Sequence, residues 1–450
     1  MESENKLSAA FASLEKDADV VFMLKVVDAS SWVSLKNFIY SKSVPKKNSS
    51  LGFKAVKATH KIRYLLLIFL SLINFVKSVC RERSGILFTG AGSGLICTNG
   101  NIVDSYVPSL IASETGLLDR THSYFLSAHD VMDFWRNRHF LWSRHVVIHS
   151  YLVAPWRALV QHVFFGRYFP SSKLKSAADT IVNRLEATGV HITTDEIVKL
   201  HYRFVAGYWF FRMAFALLKV RELYVVSAYS NSEQCAAARS MGARVIELQH
   251  GIIGALHRGY NYCTESSLLP TPNEVVVYDQ FWKSELLNGQ YFREHQIKIC
   301  ERVKYEIAKK EGSLSIGPYV VFTGQGLLEK EVISFLKEIL KRQTKVAVVY
   351  VPHPTESMEY VNEFRKELSS FNHFLLAKDL GLSTERLVLD SVAHISIYSS
   401  CHFDAVALLG KTYVLDVMGG NLMTHYASTS PSVFVCINSA DELLEEILSE

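Results

Sequence analysis

The densest grouping of reactive side chains is Gln249-His250-Gly251, followed closely by His257, Arg258 and Tyr260. It comes directly after Val245-Ile246-Glu247-Leu248, a short β-branched and apolar run that reads as a strand ending in a crevice. An imidazole with a pKa of about 6.5 can take a proton from a hydroxyl near neutral pH, so His250 is the candidate general base. The bland alternative is a histidine satisfied by backbone hydrogen bonds. Gly251, which lets the backbone approach closely, and the polar residues that follow favour a functional role. Gln249, His257, Arg258 and Tyr260 are then candidates for holding the molecule that gives up the proton.

A second constellation lies further along. Thr323-Gly324-Gln325-Gly326, Pro352-His353-Pro354 and Ser399-Ser400 each end an apolar run. Ser399 and Ser400 directly precede a helical pattern, where free N–H groups, the helix dipole and two hydroxyls make a ready anion site. His353 can donate to a phosphate oxygen, and the glycines at 324 and 326 allow close backbone approach. Serines at a helix start are usually only caps, but three such motifs at strand ends in one domain point to a phosphate or nucleotide site.

The elements that must carry these residues follow from the pattern. Residues 222–228 read as a strand, 234–241 as a helix closed by Gly242, and 244–248 as the next strand, a βαβ unit. Strands over 274–278, 319–322, 345–351, 373–377, 394–398, 411–417 and 433–437 alternate with helices over 329–341, 358–369, 383–391, 401–409 and 441–448. The 290–310 stretch is charged with helical periodicity, and 311–318 is turn-rich, a candidate hinge and domain boundary. Nearer the start, 19–27 reads as a buried strand, 30–40 as a short helix, and 177–208 as helices. Ser84 to Gly94 reads as a strand running into glycines without the spacing of a dinucleotide fingerprint. The fold expected is α/β, two Rossmann-like domains facing a central cleft. The division expected is an N-terminal extension over 1–83, an acceptor-side domain over 84–311 and a nucleotide-binding domain over 312–450.

Composition sets the outer limits. The chain has 450 residues, 49% hydrophobic and 20% charged, which is a folded protein and not a disordered one. A formal charge of +4 is too small to indicate nucleic acid and suits an anionic ligand or a membrane surface. Seven cysteines with no CxxC spacing favour a reducing compartment and no structural zinc. The polar N-terminus lacks the order of a secretory signal, so a cytoplasmic protein is expected. The apolar run over 64–76 is shorter than the roughly 20 residues that span a bilayer. Basic residues flank it (Lys54, Lys57, Lys61 and Arg63 before, Lys77, Arg81 and Arg83 after), which suits either a buried connecting helix or peripheral contact with an inner membrane.

The order QHG, FTGQG, PHP and YSSCHFDAVALLGK resembles that of bacterial surface-polysaccharide glycosyltransferases with a GT-B fold. Within these, the His-Pro and Ser-Ser motifs resemble those of CMP-sugar transferases for sialic acid and Kdo. The layout is also similar to that of the CDP-glycerol glycerophosphotransferases. The resemblance covers about 223–447. It implies that His353, Ser399 and Ser400 hold the donor's phosphate and cytidine side and that Asp404, otherwise a surface or dipole carboxylate, holds a ribose hydroxyl; Thr323, Gly324 and Gln325 are donor-side candidates from their place at a strand end. It implies an enzyme of capsule or lipopolysaccharide synthesis that moves a sugar from a nucleotide-activated donor, CMP-linked, to a glycan or lipid-linked glycan acceptor with inversion. One departure stands out: the sialyltransferases carry an acidic motif as the base where this chain has Gln249-His250-Gly251. Either His250 takes that role or the base is another carboxylate. The alternatives are phosphotransfer from a CDP-polyol and epimerisation of a nucleotide sugar. No cofactor and no metal are expected, since no acidic cluster has metal-ligand spacing.

Overall fold

In a computed structural model the described residues are 2–43, 65, 68–69, 71–73, 75–77, 79–80, 85–90, 95–98, 101–104, 106–107, 123–126, 146–149, 152–160, 171–254, 257–326, 328–342, 345–353, 356–417 and 422–449. Several expected features lie wholly or partly outside them: Gly92 and Gly94, much of the apolar run 64–76, and Pro354. The chain divides into two units, 1–301 and 302–450.

The first unit is built on a seven-stranded parallel sheet. Its strands are β1 (Ile86–Gly90), β2 (Ser123–Leu126), β3 (Val146–His149), β4 (Glu222–Val226), β5 (Arg244–Leu248), β6 (Glu274–Val277) and β7 (Ile297–Ile299). They lie in the order β7-β6-β5-β4-β1-β2-β3. β4 and β5 are buried on both faces, which is why both read as near-continuous apolar runs. The second unit carries β8 (Tyr319–Thr323), β9 (Ala347–Val351), β10 (Phe374–Leu376), β11 (Ala393–Ser396), β12 (Thr412–Leu415) and β13 (Phe434–Ile437). These are all parallel, in the order β10-β9-β8-β11-β12-β13. Both orders run outward in one direction, return to the first strand and continue the other way, the doubly wound topology. Both units are Rossmann-like, as expected.

Three local expectations change. Residues 19–27 are not one strand. Asp17 accepts from the Val20 N–H at 3.3 Å and caps a helix over Ala18–Met23, and only Lys25–Val26 is extended, paired with Ala29–Ser30. Val20, Val21 and Leu24 are buried while Phe22 is exposed, and a short apolar run does not distinguish these cases by periodicity. The 290–310 stretch is not continuous helix. It contributes the edge strand β7 and then a helix over Val303–Lys310, which packs against the helix Thr384–Leu389 through the Arg386 guanidinium on Ala308 O at 3.2 Å and Lys304–Glu385 at 3.0 Å. That packing puts 302–310 in the second unit. A helix over Leu422–Thr429 was not expected at all.

The first 43 residues share a core with the rest of the first unit. Helix α1 (Glu2–Lys16) and helix α2 (Trp32–Ser43) bury Leu7, Phe11, Leu14, Trp32, Leu35 and Ile39 against Leu174, Ile181, Leu185 and Ile197. Glu15 ties this core together. Its carboxylate accepts from Lys36 Nζ at 2.7 Å, Trp32 Nε1 at 3.0 Å and the Cys263 N–H at 2.7 Å. Lys36 is 6% and Glu15 2% exposed, so neither charge has water to fall back on. Glu15→Ala is expected to destabilise the first unit by about 3–5 kcal/mol by leaving the ammonium unpaired, read as a lowered denaturation midpoint. A loss under 1 kcal/mol would refute the assignment of Glu15 as the tie.

Candidate active site

The sequence-selected residues of the first unit gather around a carboxyl group that was not among them. Glu247, the fourth residue of β5, is 1% exposed, and burial lifts its pKa to about 7. Two donors offset that burial: the Tyr260 hydroxyl at 2.5 Å and the Ala228 N–H at 3.1 Å. The two contacts fix the 257–262 segment and the end of β4 to one point. Tyr229, next after Ala228, then stands among the candidates. Its hydroxyl lies 3.3 Å from His250 Nε2, and its ring centroid is 5.0 Å from that of His257 and 5.7 Å from that of Tyr260.

His250 is half-buried just past the carboxyl end of β5, and burial lowers its pKa to about 4. It is therefore neutral across the physiological range, the form that can accept a proton, although a weak base at that value. His257 is likewise held near 4 by burial, with His250 adding to the effect. Its Nδ1 accepts from the Gly259 N–H at 3.1 Å, so the ring proton sits on Nε2. Gln249 is committed elsewhere. It is 1% exposed, its Oε1 accepts from the Tyr278 N–H at 3.0 Å, its Nε2 donates to Gly251 O at 2.9 Å, and its carbonyl accepts from the Tyr278 hydroxyl. These bonds pin the β5–β6 strand ends and leave the amide no free face for a ligand. Tyr260 is 1% exposed and spends its hydroxyl on Glu247. Arg258 stacks 4.5 Å over the Tyr40 ring and reaches Ser8 Oγ at 3.4 Å.

In the second unit the sheet reverses direction between β8 and β11, and the motifs at 323–326 and 399–400 end those two strands. His353 ends the adjacent β9. The individual side chains separate into two sets. Thr323 is 2% exposed, with its hydroxyl 3.0 Å from His394 Nε2 and its carbonyl accepting from Ser396 Oγ at 2.6 Å. His394 Nδ1 meets Thr412 Oγ1 at 2.8 Å, and His402 Nδ1 meets the same oxygen at 2.8 Å. This buried polar layer bolts β8, β11, β12 and the helix α3 (Cys401–Leu409) together beneath the strand ends. Thr323 belongs to it and does not face a ligand.

The glycine loop is occupied by the protein itself. Glu356 accepts from the Gly326 N–H at 2.8 Å and from the Tyr350 hydroxyl at 3.0 Å. A Cβ at Gly324 would stand 2.2 Å from the Tyr350 hydroxyl and 2.5 Å from Glu356, so Gly324 serves this internal contact. Asp404 accepts from Arg302 at 2.6 Å and Tyr305 at 2.6 Å, with burial raising its pKa against the pull of Arg302. Ser399 Oγ accepts from the Cys401 N–H at 3.1 Å, and Ser399 is 5% exposed. Ser400 and His353 are exposed and Gln325 is half-buried, and these three remain presented at the carboxyl edge of the sheet. Among the described residues no group of three His, Cys, Asp or Glu side chains is arranged to hold a metal ion.

Sequence reasoning missed Glu247, Tyr229, Glu356 and the His394–Thr412–His402 layer. A carboxylate inside VIEL was the available signal, because charge within a buried strand needs a reason. Neither Tyr229 nor Glu356 carried any mark in the sequence. No family model matches the sequence, and no curated protein matches it. Among solved structures the chain is similar to a UDP-GlcNAc 2-epimerase from Neisseria meningitidis bound to UDP-GlcNAc, with 11% identity, 81% of this chain and 90% of that one covered and a TM-score of 0.45. It is similar to a UDP-N-acetylglucosamine 2-epimerase from Rickettsia bellii, at 10% identity over 81% and 86% with a TM-score of 0.42. It is also similar to a glycosyltransferase from Rickettsia africae, at 12% identity over 82% and 89% with a TM-score of 0.41. The fold assignment rests on the strand orders given above.

The Glu247 carboxyl makes a signed prediction. A carboxyl whose folded pKa lies above its unfolded value lends stability at low pH and loses it as pH rises through the folded value. The window runs from the ordinary 4.5 to about 7. Glu247→Gln keeps both acceptor contacts without the charge. Its stability relative to wild type is expected to improve by roughly 3 kcal/mol between pH 4.5 and 7.5. Parallel pH profiles of the two proteins in urea unfolding would show instead that Glu247 does not titrate there.

Proposed function

We propose that this chain is a nucleotide-sugar enzyme, and that its reaction is transfer of a sugar from a nucleotide-activated donor, CMP-linked, to a glycan acceptor by inverting displacement. The observation that carries the proposal is the reversal of strand order in the second unit. In doubly wound sheets, ligands bind outside the carboxyl ends at that point. Here the reversal brings the 324–326 loop to the start of α3, with His353 on the neighbouring strand end. Ser400 at the head of α3, His353 and Gln325 bind the donor phosphates in this reading. The helix N-terminus and His353 then stabilise the charge that develops on the leaving nucleotide without a metal.

In the first unit His250 takes the proton from the acceptor hydroxyl as that oxygen attacks the sugar's activated carbon. Tyr229 orients the imidazole through Nε2, and His257 and Arg258 hold the acceptor. His250→Ala is expected to lower turnover by 10²-fold or more, about the contribution of a positioned general base. A second reading, epimerisation of a nucleotide sugar, is favoured by Glu247. A carboxyl titrating near 7 in the same cluster as a neutral imidazole is an acid–base couple suited to removing and returning a proton on one sugar.

Stabilisation by nucleotides decides between them, because selective binding raises the unfolding temperature by mass action. CMP or CDP is expected to raise it, and His353→Ala and Ser400→Ala are each expected to remove the shift. A cytidine response would leave CMP-sugar and CDP-polyol donors to be separated by a transfer assay. A shift with UDP alone would move the assignment to the epimerase, and no shift with any nucleotide would end both readings.

We also propose that the segment over 64–76 rests on an anionic membrane surface, near a lipid-linked acceptor. Leu65, Phe69, Leu72 and Val76 are helical and between 50% and 65% exposed, whereas Phe75 and Val79 pack on the core. No helix among the described residues is long and apolar enough to cross a membrane. Phe69→Glu with Leu72→Glu is expected to abolish co-sedimentation with phosphatidylserine-containing vesicles while leaving the fold intact. Equal sedimentation of variant and wild type would remove this placement.

A further inference from the structure

A cavity of about 210 Å³ lies in the first unit between α2 and the 257–262 segment. Lys36, Asn37 and Tyr40 form one wall, His257 and Arg258 another, and Tyr229 stands at the edge shared with His250. The volume is that of about seven waters. Ligands of drug size occupy roughly 300–1,000 Å³, so this space takes one sugar ring and not a nucleotide.

Its chemistry narrows the occupant. Among the described lining residues two side chains are cationic and none is a carboxylate, with Glu15 paired to Lys36 behind the wall. Lys36 has three N–H donors, of which two are spent on Glu15 Oε1 and Asn261 O, each at 2.7 Å. Its ammonium also stands 4.5 Å over the Tyr262 ring, so its positive charge is fixed at the cavity wall. Arg258 is held in place by its 4.5 Å stack on Tyr40 and by Ser8 Oγ at 3.4 Å, so its guanidinium plane is fixed at the cavity wall, an orientation suited to a planar anion. His257, with its proton on Nε2, is a neutral donor, and Asn37 offers both a donor and an acceptor. Tyr40 and Tyr229 supply the flat apolar faces against which a ring's C–H groups pack.

We propose that this cavity is a subsite for one acidic sugar residue: a polyol ring bearing a carboxylate or phosphate, with the anionic group on Arg258 and Lys36 and the ring hydroxyls on Asn37 and His257. The site deepens the reading of the first unit as the acceptor side and rests on it. It makes the acceptor an anionic glycan, and it gives the N-terminal helices a direct part in choosing that acceptor.

Direct binding to the whole chain, without nucleotide, tests the subsite. The probes are glucuronate, glucose 6-phosphate and neutral glucose, followed by saturation-transfer NMR. At least one acidic probe is expected to bind ten times or more tightly than glucose, with the preference shrinking as salt is raised. Glucuronate against glucose 6-phosphate identifies the anionic group. Arg258→Gln is expected to erase the preference, and Asn37→Trp, which fills the space, to abolish binding of all three. Circular dichroism confirms the fold of both variants, and Arg258→Gln serves alone if the bulky substitution does not fold. Equal binding of glucose and the acidic probes, retention of the preference in Arg258→Gln, or no binding at all would each overturn the proposal. The nucleotide response is read separately. Acidic-sugar binding without any nucleotide shift would sink the transferase reading and leave the subsite standing.

Discussion

One buried carboxyl, Glu247, organises the first unit's chemistry. Taken alone it is an unfavourable residue for the fourth position of a buried strand, since removing charge from water is costly and raises its pKa toward neutrality. What makes it tolerable is that it receives two donors from different parts of the chain, the backbone after β4 and the tyrosine thirteen residues downstream. Those same two bonds set the relative position of Tyr229, His250 and His257. The imidazoles are in turn buried enough to stay neutral. The arrangement is therefore one of mutual dependence: the carboxyl takes both its donors from the cluster's two backbone segments, and it ties those segments together alongside the Asn261 amide on Gly254 O and His257 O.

The second unit solves the analogous problem differently. Beneath its strand ends lies a chain of threonine hydroxyls and histidine rings, Thr323 to His394 to Thr412 to His402, in which every contact joins a different element. Above it the Glu356 carboxylate already fills the Gly326 amide. Much of what looked like ligand chemistry is thus spent on rigidity. The side chains left at the edge are few, and they sit on a frame whose threonine hydroxyls and histidine Nδ1 atoms are already bonded to one another.

The alternation of strands and helices from 222 onward was legible because most strands are short apolar runs bounded by turn residues and helices such as Glu329–Arg342 and Met358–Leu368 are amphipathic. Most boundaries fall within two residues of expectation, and the 401–409 helix coincides. What escaped was set by tertiary context. Nothing in 297–299 distinguishes an edge strand from helix until β6 is beside it. The site residues were harder still. His250, His353 and Ser400 stand at strand ends as the sequence pattern placed them, whereas the sequence does not show that Gln249 turns inward to Gly251 and Tyr278, or that Asp404 is taken by Arg302. Polar residues at strand ends are used for structure and for ligands alike, and only their partners separate the uses.

The contact between Glu15 and the Cys263 amide spans 248 residues of chain. During synthesis at about 5–20 residues per second, the first helix emerges roughly 10–50 s before that partner exists. The apolar faces of α1 and α2 rest on the helices that carry Leu174, Ile181, Leu185 and Ile197, which emerge well before Cys263. The Glu15 carboxylate therefore lacks its Cys263 donor until most of the first unit has been made, and the last donor to this buried charge arrives late.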